Sequence, residues 1–122
     1  MKLRYVLAAD AAAATAFLAV PAAAGFQDFE LINSTGYDIR EVYVSPIDSR
    51  RWEEDLLGSS ILPSGDSLGI SFDWAEDQCY WDIMVIYTDD EEALWEGIDL
   101  CETSVVEIEY DHRTGRTWAT TG

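Results

Sequence analysis

The chain has 122 residues, enough for one small domain, and its 24 acidic and 7 basic residues leave a formal net charge of −17. A surface this acidic repels nucleic acid and anionic membranes, so both are excluded as partners, whereas cations and basic proteins are attracted. His112 is the only histidine, so the chain has too few histidine and cysteine residues for a zinc site.

Residues 1–24 have the pattern of an export signal. A short basic start is followed by an apolar, alanine-rich run and by three small residues before position 25. The run is too short for a membrane span. We therefore expect a signal peptide over residues 1–24 and a single mature domain over residues 25–122, periplasmic or secreted. Cleavage removes Lys2, Arg4 and Asp10, which leaves 5 basic and 23 acidic residues and a net charge of −18.

The first half of the mature sequence alternates short apolar segments with turns, which is typical of β-structure. Phe29 and Leu31 alternate with acidic residues and predict a strand that ends at Asn33. Residues 33–36 predict a turn, and residues 37–45 predict a second strand.

Residues 48–58 indicate a short helix after that second strand. Trp52, Leu56 and Leu57 have the spacing of one helical face, and Gly58 is a suitable helix end. We expect one or two helical turns here, with Trp52 packed on the edge of a sheet.

The centre of the chain predicts the core. Apolar residues alternate with small or polar ones from Ser67 to Trp74, so the Leu68, Ile70 and Phe72 face is expected to be buried. Residues 79–88 are apolar on both faces and predict a central strand. Residues 93–101 are expected to return beside it in a hairpin.

Two cysteines lie at the base of this hairpin. If it is symmetric about Asp90, Val85 faces Trp95 and Cys79 faces Cys101. Opposed cysteines in a small exported domain predict a disulfide.

Residues 106–110 predict a further strand, and residues 117–119 a last edge strand. We therefore predict an all-β domain of six to eight strands in a two-sheet antiparallel sandwich, because so many amphipathic strands must cover one another's apolar faces. A small open barrel is the alternative.

Residues 33–46 (NSTGYDIREVYVSP) carry a resemblance that extends over residues 26 to about 110. The chain resembles small exported bacterial β-domain proteins in which an N-x-T-G-Y turn leads into a strand ending Y-V-S-P. Further matching positions are Trp52, residues 55–58, residues 62–65, the C-x-W-D segment at 79–82 and residues 100–102. The resemblance implies a β-fold and export but no chemistry, because the family has no established activity.

Candidate chemistry is sparse. His112 is the only imidazole base, and a loop residue exposed to solvent explains it better than a catalytic triad does. Residues 89–92 (DDEE) and the acids at 73, 76 and 77 could attract calcium, although neither group has the spacing of a calcium loop. Asp82 lies in the central strand, where we expect a structural hydrogen-bond anchor with Arg40 as one possible partner. We predict no catalytic residue, cofactor site or metal site.

Five tryptophans are many for this length, and an exposed one would indicate a binding surface. Trp74 and Trp81 are expected in the core, whereas Trp52, Trp95 and Trp118 stay open. The predicted function is an exported acidic binding module that is not an enzyme and that takes a basic protein or a divalent cation. The alternatives are an inhibitor of a basic hydrolase, and a calcium-binding domain or carboxylate-based enzyme. The sequence leaves the oligomeric state open.

Overall fold

The computed structural model describes residues 3–8, 28–47, 49–72 and 78–122. Within these ranges the chain forms eight strands and no helix, so none of the described residues belongs to a helix that could cross a membrane. The strands are β1 (Leu3–Ala8), β2 (Phe29–Asn33), β3 (Ile39–Pro46), β4 (Ser67–Phe72), β5 (Tyr80–Tyr87), β6 (Glu92–Asp99), β7 (Val105–Asp111) and β8 (Arg116–Thr121).

The seven strands from β2 onward form two sheets that do not close into a barrel. The four-stranded sheet has the order β4-β2-β7-β8, and the three-stranded sheet has the order β3-β5-β6. Strand β1 adds a fifth strand to the outer edge of β4. The prediction of a two-sheet all-β domain is therefore confirmed. The rest of the predicted leader, residues 1–2 and 9–24, lies outside the described residues.

The sheets are not entirely antiparallel. Strand β2 pairs with β7 in parallel register, with Leu31 opposite Val106 and Asn33 opposite Ile108. The prediction of an all-antiparallel sandwich was wrong at this pair. A strand's alternation indicates which face is buried, but it carries no information about the direction of a partner strand that is distant in the sequence.

The predicted helix after the second strand is absent from the described part of residues 48–58, which has no regular secondary structure between residue 49 and a turn at residues 56–59. Strand β3 binds this segment instead: the Leu56 amide donates to the Val42 carbonyl (2.8 Å), and Asp55 Oδ1 accepts from the amides of Val42 (3.1 Å) and Leu57 (3.0 Å). Leu56 and Leu57 are both buried. Burial of these two adjacent leucines in the core stabilises the segment more than a short helix would, since short helices depend on tertiary packing for their stability.

The core lies between the two sheets and follows the alternation of the strands. Strand β2 buries every second residue, and Leu68, Ile70 and Phe72 of β4 are all at most 3% exposed, as predicted. The Phe72 ring packs edge-on against Trp81 of the opposite sheet, with a centroid distance of 5.0 Å. Trp74, which was predicted to extend this face, lies outside the described residues.

The β5–β6 hairpin is in a different register from the symmetric one predicted. Val85 pairs with Ala93 and Ile83 with Trp95, because the turn is closed by the Tyr87 amide, which donates to the Glu91 carbonyl (2.8 Å). A bulge between Trp81 and Ile83 then shifts the register. Because of this shift, the Leu100 amide donates a hydrogen bond to the Cys79 carbonyl (2.8 Å), and Cys101 is close enough to Cys79 to form the disulfide.

Candidate functional site

Five rings gather at one end of the two sheets. Tyr37 lies 5.9 Å from Tyr87, 6.1 Å from Tyr110 and 5.6 Å from His112, measured between ring centroids. Tyr87 stacks on Tyr110 at 5.2 Å. Tyr37, Tyr110 and His112 line one open groove of about 540 Å³ together with Trp118. We call these five residues the aromatic end.

A tight turn presents Tyr37 at this end. Asn33, at the end of β2, is buried and donates through Nδ2 to the carbonyls of Tyr37 and Leu62 (2.9 Å each), while its Oδ1 accepts from the Thr35 amide (3.0 Å) and hydroxyl (2.6 Å). Gly36 has φ of 89°, a conformation that glycine adopts without strain. The N-S-T-G-Y block thus forms a rigid turn that leaves the Tyr37 side chain 42% exposed.

The β7–β8 hairpin supplies the other side of the groove. Tyr110 is near the end of β7, and His112 begins the turn, which the Arg113 amide stabilises by donating to Asp111 Oδ1 (3.0 Å). Trp118 lies on β8, where its carbonyl accepts a hydrogen bond from Trp95 Nε1 of the opposite sheet (2.8 Å). Because this bond uses the backbone, the indole of Trp118 stays 40% exposed.

The tip of the β5–β6 hairpin brings acidic groups to the aromatic end. Glu91 Oε1 accepts a hydrogen bond from the Tyr110 hydroxyl (3.3 Å) and lies 4.0 Å from His112 Nδ1. Asp90, with φ of 74°, forms an ion pair with Arg40. Asp89 Oδ1 accepts from the Glu91 amide (3.0 Å) and so shapes the turn.

The phenols of Tyr87 and Tyr110 keep their protons at neutral pH. Burial raises the pKa of Tyr87 well above its usual value, and partial burial together with Glu91 raises the pKa of Tyr110. Desolvation opposes ionisation of Asp111, yet the hydrogen bonds from Arg113 and Thr114 leave its pKa below the usual value. The groove therefore presents the neutral hydroxyl group of Tyr110 beside the charged carboxylate of Asp111.

In the described part of the chain, no three ligand atoms of the acids at residues 89–92 lie within 4.8 Å of one another. The ligand atoms there that lie within 4.8 Å of one another belong to Cys79, Asp99 and Cys101, and both sulfurs are already bonded to each other. The hairpin carboxylates are instead used separately, in an ion pair, a turn and a tyrosine contact. The second acidic group, at residues 73, 76 and 77, lies outside the described residues.

Asp82 is buried, at 3% exposure, and its Oδ1 accepts a hydrogen bond from the Gly97 amide (2.9 Å) at the β-bulge. Arg40, which the sequence suggested as its partner, pairs with Glu41 and Asp90 instead. Gly97 has φ of 70°, as bulge glycines often do. Asp82 is thus part of the structure that bends β6, and its contacts are those of an anchor.

Among the described residues, no serine or threonine hydroxyl donates a hydrogen bond to His112, whose Nδ1 lies 4.0 Å from Glu91 Oε1.

The four tryptophans in the described residues differ in their exposure to solvent. Trp81 and Trp95 are buried, Trp52 is half-buried and Trp118 is exposed. Tyr37 and Tyr110 were not predicted as surface candidates. For Tyr37 the available signal was a tyrosine directly after a glycine turn and two residues before the start of β3.

The disulfide joins Cys79 and Cys101, whose Cα atoms are 5.1 Å apart, at the end of β5 opposite the aromatic end. A disulfide in so small a domain is typical of an oxidising compartment outside the cytoplasm.

Together these features define a two-sheet all-β domain with a disulfide at one end and exposed rings at the other. No family model and no curated protein matches the chain. A solved structure, the NMR structure of a protein from Eubacterium rectale, is similar in fold, with a TM-score of 0.54. The two chains are 20% identical, and the match covers 77% of this chain and 85% of the other. At this identity the likeness shows the fold alone.

Proposed function

We propose that the mature domain is a non-catalytic binding module, periplasmic or secreted, whose aromatic end binds a cationic segment of a basic protein. The observation that carries the proposal is the open groove at this end. It combines the half-exposed rings of Tyr37 and Trp118 with the carboxylate of Asp111, and Glu91 lies beside it. Exposed aromatic rings next to carboxylates are suited to the arginine and lysine side chains of a partner.

The chain itself provides an example of this chemistry. The Arg116 guanidinium lies 5.5 Å from the centre of the Trp118 ring, so a cation already occupies one face of an aromatic side chain at this end. The net charge of −18 on the mature chain would also accelerate the approach of a basic partner. Long-range charge would bring the partner to the domain, and the rings would select where it binds.

The compartment in this proposal is supported by the leader pattern of residues 1–24 and by the disulfide. We also place the chain with the small exported bacterial β-domain proteins that it resembles. The first five residues of the block that carries this resemblance, 33–37, form the turn that presents Tyr37. The block would then be a functional element of the domain as well as a turn.

Titration of the exported, processed protein with a tri-arginine peptide tests the proposal. Tyr37→Ala and Trp118→Ala should each weaken binding roughly 2- to 30-fold, which corresponds to the roughly 0.5–2 kcal/mol of a cation–π contact. Tyr80→Ala is the matched control, because Tyr80 is equally exposed but lies at the other end of β5, about 23 Å from Tyr87.

The control variant should bind the peptide like the parent protein. If Tyr80→Ala weakens binding as much as Tyr37→Ala does, the peptide is held by net charge over the whole surface and the aromatic end is not the site. A tri-glutamate peptide should not bind at all.

Inhibition of a basic hydrolase is a second candidate, favoured by the position of Asp90. Its side chain is 76% exposed at a hairpin tip beside the aromatic end, where it could enter a basic active-site cleft. Asp90→Asn should then weaken inhibition of such an enzyme while leaving tri-arginine binding at the rings nearly unchanged. If the protein slows no basic hydrolase, the binding module stands without this role.

A further inference from the structure

Strand β4 is bordered on one side by β2 and on the other by β1. Strand β1 covers the whole of this second edge, with six antiparallel residue pairs from Leu3 opposite Phe72 to Ala8 opposite Ser67. Strand β1 lies entirely within the predicted leader. Export followed by cleavage would therefore remove the strand that completes the four-stranded sheet and leave β4 with a free edge.

We propose that the freed edge of β4 pairs, after cleavage, with β4 of a second copy of the chain, which makes the mature protein a two-fold symmetric dimer. The inference rests on the export and cleavage proposed above, but not on the aromatic end. Strand β8, which carries Trp118, is at the opposite edge of the same sheet. Binding at the rings and pairing at β4 can therefore be tested separately.

The register of β1 shows why β4 suits itself as a partner. Opposed residues of an antiparallel pair lie on the same face, so the two-fold axis must pass between one residue and its own copy. If the axis passes between the two copies of Ile70, the partner's Leu68 lies opposite Phe72, where Leu3 is in the uncleaved chain. The partner's Ile70 and the partner's Phe72 likewise take the places of Tyr5 and Leu7. The residues of β4 that would oppose one another across the axis, Leu68, Ile70 and Phe72, are thus all large and apolar.

The edge also lacks the usual protection. Native edge strands are guarded against pairing by charged residues, proline or bulges, and the sequence of β4, SLGISF, contains neither charge nor proline. The strand also pairs in continuous register with both β1 and β2. The opposing factor is charge, because two copies of net charge −18 repel each other. Dimerisation should therefore strengthen as monovalent salt is added.

The test is the mass of the exported protein in solution, after mass spectrometry has established its N-terminus. At about 1 M salt, where screening is strongest, sedimentation should give twice the mass of one processed chain at high protein concentration. A synthetic peptide of residues 3–8, LRYVLA, should compete for the edge and return the protein to the monomer. The same peptide with proline at the position of Val6 should not, because Val6 opposes Gly69 at a position where the peptide amide would hydrogen-bond to β4, and proline lacks that amide hydrogen.

Ser71→Glu adds a charge to the exposed face of β4 near the axis and should weaken the dimer at least tenfold. Ser59→Glu makes the same change at an exposed turn position and should not. A processed protein that stays monomeric at high salt overturns the proposal, as does a dimer that persists with the peptide bound. A mature protein that still contains residues 3–8 overturns it as well, since the edge then stays covered.

Discussion

The two ends of β5 use the same kinds of residue in opposite ways. At one end, Trp81 is fully buried against Phe72, Asp82 is buried against the Gly97 amide, and the disulfide closes the hairpin. At the other end, Tyr87 is the buried base of a ring cluster whose outer members remain half-exposed beside carboxylates. Aromatic and acidic residues stabilise the first end and form an open groove at the second.

The difference shows that residue type alone does not identify a functional surface in this chain. Trp81 and Trp118 are both strand residues, yet Trp81 is 0% exposed and Trp118 is 40% exposed. Trp118 is exposed because β8 is an edge strand, and its bond to the opposite sheet comes from the backbone. The disulfide end should therefore respond to mutation through stability and the aromatic end through binding.

The largest expected effect is at the packed end. Phe72→Ala removes a ring that is buried against Trp81 and should lower the free energy of unfolding by about 3–5 kcal/mol, as large-to-small core substitutions do. Trp118→Ala should lower it by less than about 1 kcal/mol, since the ring is half-exposed. Denaturant unfolding of both variants measures the contrast. If Trp118→Ala is the more destabilising of the two, the roles assigned to the two ends must be exchanged.

Loss of the disulfide should have the next largest effect. Replacing Cys79 and Cys101 together by serine releases a loop with a sequence separation of 22 residues, and the chain-entropy model assigns such a loop about 3 kcal/mol. The midpoint of denaturant unfolding measures this loss. Thiol titration of the exported, denatured and unreduced protein provides the check, because two reactive thiols would show that the bridge is not formed.

The smallest expected effect concerns the buried acid at the packed end. Asp82→Ala leaves the Gly97 amide without its acceptor and should lower the free energy of unfolding by about 1–3 kcal/mol. Asp82→Asn retains an oxygen at the same position and should cost clearly less. Equal losses in the two variants would indicate that the charge of Asp82, rather than its hydrogen bond, stabilises the bulge.

Local alternation predicted most of the strands because each strand exposes one face and buries the other. The strand ending at Asn33, the buried face of Leu68, Ile70 and Phe72, and the apolar strand before the DDEE turn are all present as expected. The helix prediction failed because the spacing of Trp52, Leu56 and Leu57 also fits a loop that buries two adjacent leucines. The polar groups of that loop are satisfied by β3, which the local sequence does not reveal.

The sequence by itself determined the β-class of this protein, its acidity and the faces of its strands, since these depend on composition and on neighbouring residues. Tertiary structure alone decided the parallel pairing of β2 with β7, the bulge that sets the hairpin register and the gathering of Tyr37, Tyr110 and Trp118. These features arise where strands distant in sequence meet. The energy of such contacts depends on which strands become neighbours, and no local pattern encodes that choice.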